Sequence, residues 1–235
     1  MNFTENIVNT RKIIGYQLTK FLLEKNNCAP LLPYKLYWIS PKKIKNKPVK
    51  SPSTSWILPT DIVGGDWDLD TVPFESDVVY RSFEEHFVNN VRWEDTDYYE
   101  FMCEQVENSG SYKKIKNKSN LIKRCTHLDQ LYNSIKKYGY RPQKQITQNK
   151  IESLDTEALL PPERKEITVH VSRNGEFLWS GGAHRLSIVK LLEIDRIPVR
   201  IRTRHTEWQK IRDQMYVGNT HGIEQYVNHP DILFQ

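Results

Sequence analysis

Trp179-Ser180-Gly181-Gly182-Ala183-His184-Arg185 is the stretch in which one backbone pattern gives way to another. Ahead of it, Ile167-Thr-Val-His-Val171 alternates as a strand, and Phe177-Leu-Trp179 reads as the strand that returns. Between them, Asn174-Gly175 is a hairpin signal, because these residues accept the positive φ angles of a tight turn. Beyond Gly182, residues Ala183 to Glu193 put Leu186, Val189 and Leu192 on one helical face. A strand therefore has to turn into a helix at Gly181-Gly182. Two residues without Cβ atoms let the backbone turn sharply there and let a ligand come close.

The first turn of such a helix offers unpaired N–H groups and a partial positive charge. Phosphate is a natural guest at that position. Arg185 adds a forked, permanently charged donor, and His184 adds a donor whose charge depends on pH. Ser180, Gly181, Gly182, Ala183, His184 and Arg185 are thus the candidate phosphate-binding residues. The competing reading is a tight turn with Arg185 in a surface ion pair.

Downstream, Ile197 to Thr203 reads as a further strand, followed by a short helix from Trp208 to Tyr216. Arg200, Arg202 and Arg204 alternate with Val199, Ile201 and Thr203, so the three arginines share one face. Three like charges on one face need an anion or carboxylates. An acidic or phosphate-rich substrate would serve, and so would Glu84, Glu85, Glu94 and Asp95 of the same chain.

Upstream, residues 119–138 form an amphipathic helix, with Ser119 as candidate cap and Gly139 as its end. Residues 76–107 look mostly helical, and residues 3–25 form an amphipathic helix that packs on the body or meets a partner. Leu36–Ile39 and Trp56–Leu58 read as short strands. Gly64-Gly65-Asp66-Trp67-Asp68 spaces two carboxylates so that an extended backbone aims both to one side. Asp66 and Asp68 are therefore candidates for binding Mg²⁺ or for a general base. The alternative is a local turn around a buried Trp67.

With 38% hydrophobic and 11% aromatic residues, the composition is that of a folded body, not a disordered tail. The net charge of +5 is compatible with nucleotide or nucleic-acid contact without demanding it. Two basic stretches, 41–50 and 113–119, read as solvated loops or as tracks for nucleic acid. Cys28, Cys103 and Cys125 are too few and too scattered for a disulfide framework or a zinc site. No apolar run approaches a membrane span, and the N-terminus lacks a secretory pattern, so the expectation is a cytoplasmic protein with no membrane partner.

Gly181-Gly-Ala-His-Arg185 resembles the Gly-Gly-Cys-His-Arg segment of sulfiredoxins and the Gly-Glu-Arg-Arg box of ParB-type partition proteins. Leu131 to Gly139, Tyr140-Arg-Pro-Gln143, Trp38 to Ile44 and Leu191 to Val199 are similar to further ParB pieces in the same order. The resemblance covers residues 36–46 and 128–205, and extends to a wider group of ParB-domain proteins with a Gly-Gly-Asp-Trp-Asp segment. It implies an α+β fold with a small mixed sheet and flanking helices. That ParB/sulfiredoxin-like domain would occupy residues 36–205 with a mostly helical insertion at about 50–125, between an N-terminal helical extension (1–35) and a C-terminal helical tail (206–235). It implies a nucleotide (ATP, ADP or CTP) on the Gly181–Arg185 segment, with Mg²⁺.

Ala183 stands where sulfiredoxins carry their nucleophile, and without a thiolate sulfinic-acid reduction is excluded. The leading expectation is a nucleotide-dependent phosphotransferase or NTPase. Asp66, Asp68 and His184 would be its catalytic residues, and its acceptor a small molecule or protein. The alternatives are a ParB-like DNA-binding or nuclease module and a non-catalytic nucleotide switch.

Overall fold

The computed structural model describes residues 3–23, 28–54, 58–113, 115–147 and 160–234. In chain order the elements are α1 (Phe3–Leu23), β1 (Leu36–Ile39), β2 (Ile44–Pro48), β3 (Asp61–Val63), β4 (Thr71–Pro73), α2 (Val78–Phe87), α3 (Asp97–Ser109), α4 (Lys118–Tyr138), α5 (Gln143–Thr147), β5 (Ile167–Val171), β6 (Phe177–Gly181), α6 (Ala183–Leu191), β7 (Ile197–His205) and α7 (Thr206–Tyr216). The protein is mixed α+β, with seven strands in one mixed sheet and seven α-helices among the described residues. It divides into two compact units. One comprises Met1–Val72, Arg141–Gly182 and Asp195–Gln235, and the other Pro73–Tyr140 and Ala183–Ile194.

The first unit is built on the sheet, ordered β1-β7-β5-β6-β2-β4, with β3 also paired to β7. β1 runs antiparallel to the first half of β7 (Ile39 opposite Ile197), and β3 runs parallel to its last residues (Val63 opposite His205). β7 also pairs in parallel with β5, so it is hydrogen-bonded along both edges. It is buried along nearly its whole length, which explains its run of Ile197, Val199 and Ile201. The hairpin from β5 to β6 is closed by the amide of Gly175 donating to Ser172 O (3.0 Å) and that of Ser172 to Glu176 O (2.9 Å).

Only Gly175 takes a positive φ there, +80°; Asn174 does not. The turn is thus the longer kind, in which one left-handed residue forms a bulge, and not the two-residue turn that Asn-Gly suggests. Gly175 is also required sterically, because a Cβ there would lie 2.6 Å from the ring of fully buried Trp208. Tyr140 to Gln143, similar to a strand entry in sequence, leads instead into the short helix α5. Trp56 and Ile57 of the other expected strand lie outside the described residues.

The second unit is helical. Each long helix starts on a side-chain cap: Asp77 accepts from the Val79 amide (3.0 Å) for α2, Thr96 from Tyr99 for α3, and Asn117 from Asn120 (2.9 Å) for α4. Asn117 thus takes the capping role expected of Ser119, which lies inside the helix. Gly110 and Gly139 end α3 and α4 in conformations with φ of +68° and +71°. α6 packs on α2 and α4 and buries Leu186, Ile188 and Val189. Phe83 at the centre is fully buried, with its ring edge-on to Phe87, Trp93 and Tyr98. Burying side chains of this size contributes roughly 1.5–3 kcal/mol each, which is what holds so short a helix as α6 in place.

Candidate functional site

In the helical unit, α6 begins at Ala183 and carries His184 and Arg185 in its first turn, with no acidic residue there. Arg185 is half-buried and donates from NH1 to the Tyr140 hydroxyl (3.0 Å). His184 is held on both ring nitrogens. Nε2 is 3.2 Å from the Tyr98 hydroxyl, and NH2 of Arg124, from α4, makes a long contact of 3.5 Å with Nδ1. Guanidinium can only donate, so Nδ1 is the accepting nitrogen and the ring proton sits on Nε2, facing Tyr98. The ring also lies 5.6 Å from that of Phe83. Loss of solvation, followed by the positive charges of Arg124, Lys113 and Arg185, pushes the imidazole down to about 3. At neutral pH His184 is therefore an uncharged side chain with its one N–H committed. The sequence suggests a donor whose charge depends on pH; burial moves that titration well below the neutral range.

In the sheet unit, Ser180 and Gly181 end β6 and Gly182 follows it with φ +84°. Both glycines are sterically fixed. A Cβ on Gly181 would come 2.7 Å from Thr168 Oγ1, and one on Gly182 would come 3.2 Å from the backbone of Ile167. The tight backbone expected from Gly-Gly is present, and its immediate cause is close packing against β5.

Asp66 and Asp68 both meet Arg173, which the sequence reading passed over. Asp68 accepts from the Arg173 amide (2.7 Å), from Nε (3.0 Å) and from NH2 (2.8 Å), and Asp66 accepts from the same NH2 (2.8 Å). Burial alone would raise the Asp68 carboxyl, but the hydrogen bonds from Arg173 outweigh it and hold the group below the ordinary range. The guanidinium takes the place a divalent cation would need, so the pair as arranged does not fit Mg²⁺. Among the described residues, no group of three or more His, Cys, Asp or Glu side chains is placed to hold a metal ion. Trp67 packs edge-on to His170 and against His205, with ring centroids 5.5 and 5.8 Å away, and donates to Val63 O. The segment is a turn around a half-buried Trp67, not the buried one of the alternative reading, with the Asp66 side chain 80% exposed.

The three arginines of β7 are drawn inward. Arg204 is fully buried and bonds Asp231 through both Nε (2.8 Å) and NH2 (2.6 Å), with Tyr37 and Thr60 on its remaining donors. Arg200 donates to the carbonyl of Pro59, and Arg202 to Leu58 O and Thr54 Oγ1. Burial, together with the neighbouring Arg202 and Arg164, lowers Arg200 to about 10. Asp231 is the carboxylate on Arg204, the charge of Asp61 acts on Arg202, and carbonyls accept from Arg200 and Arg202.

These elements define a mixed α+β protein whose first α6 turn is basic and whose acidic pair is internally neutralised. No family model, curated protein or solved structure matches the chain.

Proposed function

We propose that this chain is a nucleotide-binding protein of the ParB/sulfiredoxin-like kind, taking the nucleotide's phosphates at the first turn of α6. The observation that carries the reading is a helix start with Arg185 and no acidic side chain, beside a second arginine, Arg124. Amide N–H groups at such a turn are short of acceptors, and a polyanion satisfies them and can form charge-assisted hydrogen bonds with arginine. The order hairpin, Gly-Gly, helix, parallel strand supports the resemblance. Ser180, Gly181 and Gly182 are the residues that lead the chain into that turn.

Phosphoryl transfer would need a free base. Asp68 and Asp66 both bond Arg173, so neither is a free base as arranged and the transferase reading assigns none. The nucleic-acid alternative loses the β7 arginines, whose donors are turned to internal acceptors, and rests on exposed Lys43 and Lys45. The non-catalytic switch needs only the binding half of the proposal.

Thermal denaturation with ATP, ADP, CTP and GTP, with and without Mg²⁺, tests the reading, since a ligand that binds only the folded state raises Tm. At least one nucleotide should raise Tm. Arg185→Ala should weaken its binding by about 10- to 100-fold, the effect of losing one charge-assisted hydrogen bond. If no nucleotide shifts Tm, the proposal is wrong.

A further inference from the structure

Independently of the nucleotide reading, we propose that α1 is a peripheral membrane anchor, whose outer face lies on a lipid surface bearing anionic headgroups.

The two sides of α1 differ in what they touch. On the inner side Gly15 packs so closely that a Cβ would come 2.6 Å from the Tyr34 hydroxyl, Thr19 is fully buried, and Lys12 pairs with Glu163. On the outer side Ile13, Ile14, Phe21 and Leu22 are 54–84% exposed. With about 3.6 residues per turn, these four spread over roughly half of the helix circumference. A helix that is packed on one side and still apolar on the other has a face left to bury.

Charge and shape point to what buries it. From Asn6 to Leu22 there is no acidic residue, and Arg11, Lys12 and Lys20 are basic. Among the described residues, Arg11 and Lys20 are in no ion pair. Cations beside large apolar side chains match an interface in which anionic headgroups lie above acyl chains. A second copy of α1 would bring these cations no counter-charge. A face this broad also suits a fluid, flat phase better than the narrow seam of a partner helix. Alongside Ile13, the side chains of Tyr16, Leu32, Pro33 and Tyr34 line an open hollow of about 440 Å³, an apolar recess for part of an acyl chain. Among the described residues no helix is long and apolar enough to cross a membrane, so the contact is at the surface. The lack of a span, on which the expectation of no membrane partner rests, does not bear on a helix lying in the interface.

The test is co-sedimentation of the full chain with vesicles of phosphatidylcholine alone and of phosphatidylcholine with about one-third phosphatidylserine, at low and high salt. Wild type should bind the anionic vesicles about 10-fold more tightly than the neutral ones, and less tightly as salt rises. Phe21→Ser should weaken binding to anionic vesicles by about 10-fold or more, the effect of withdrawing one large apolar side chain from hydrocarbon. Lys20→Gln should weaken it about fivefold, with no change on neutral vesicles. Ile122→Ser, at an exposed apolar residue of α4, is the control and should bind as wild type does. Phe21 and Lys20 are both exposed, so each variant should keep the wild-type Tm; Lys20→Gln, which removes only a surface charge, decides the matter if Phe21→Ser does not fold.

If wild type binds neither vesicle, the proposal is wrong. Binding that Phe21→Ser and Lys20→Gln leave unchanged would overturn it as well, since another surface would then meet the lipid. Sedimentation velocity without lipid covers the remaining occupant. A dimer that Phe21→Ser dissociates, in a chain that ignores vesicles, would make the face a contact between copies and end the lipid reading.

Discussion

Asp231 accepts two hydrogen bonds from the guanidinium of Arg204, at 2.6 and 2.8 Å, with neither side chain measurably exposed. The same carboxylate takes the indole N–H of Trp208 (2.9 Å) and lies 3.2 Å from Arg212 Nε. Burial alone would raise the Asp231 carboxyl, but Arg204 and Arg212 hold it well below the ordinary range. One carboxylate near the chain end thus fastens the terminal residues to β7 and α7. Two buried arginines would be left uncompensated without it, and breaking a buried pair on one side costs about 3–5 kcal/mol. Asp231→Asn should therefore be among the most destabilising conservative changes in the protein. Urea denaturation at pH 7 measures it, and a loss below about 1 kcal/mol would show that the lock is not formed.

Acid should destabilise the fold before the carboxylates titrate. His170 is buried, and its imidazole is pushed down to about 3, by burial first and then by Arg202. Among the described residues its Nδ1 has no hydrogen-bond partner. The unfolded chain takes up a proton near the ordinary value of about 6.5, and the folded one resists until far lower. The stability this neutral ring confers is therefore complete above about pH 6.5 and lost as the pH falls towards 3, at up to about 1.4 kcal/mol per pH unit. His184 (about 3) and His229 (about 4) act in the same sense. His170→Leu should flatten the slope of stability against pH between 6.5 and 4 by about one proton, measured by urea denaturation across that range. An unchanged slope would mean that His170 is accessible to protons in the folded protein.

Gly175 meets two demands at once, a φ of +80° and a 2.6 Å approach to Trp208. Alanine satisfies neither, because a left-handed turn strains it and the ring is enclosed on its other side by Tyr226 and His229. Gly175→Ala should cost about 2–4 kcal/mol from strain and overpacking together. Gly218→Ala is the control: its φ is +81° with open space around it, so it carries only the backbone share. Similar losses for the two variants would remove the steric part of the argument.

Much of the sheet unit could be read from sequence because its signals are local. The alternation of residues 167–171, the turn at Asn174-Gly175 and the Gly-Gly break each act within a few residues; β5 and β6 lie where those signals put them, as does α6 of the helical unit. The arginines of β7 show the limit. Alternation says that Arg200, Arg202 and Arg204 share a face. It does not say whether that face meets solvent or protein, and Asp231 is 27 residues further on in a stretch with no periodic pattern. Arg173 escaped notice for the same reason, being 105 residues from Asp68. Arg124 is invisible by itself, since one arginine at the half-buried edge of an amphipathic helix is ordinary. Only the folded chain places it beside His184.

Asp66 and Asp68 look equivalent in sequence, and the fold makes them opposites. Asp68 is enclosed and holds Arg173 through its amide and its guanidinium, while Asp66 reaches the same guanidinium from the surface. An exposed ion pair contributes little to stability, and an enclosed carboxylate bonded to a backbone amide contributes more. Asp68→Asn should lower Tm by roughly 3 °C or more, and Asp66→Asn should leave it nearly unchanged. Tm by scanning fluorimetry on each variant checks this. A large loss of Tm in Asp66→Asn would show that the surface half of the Arg173 contact also holds the turn.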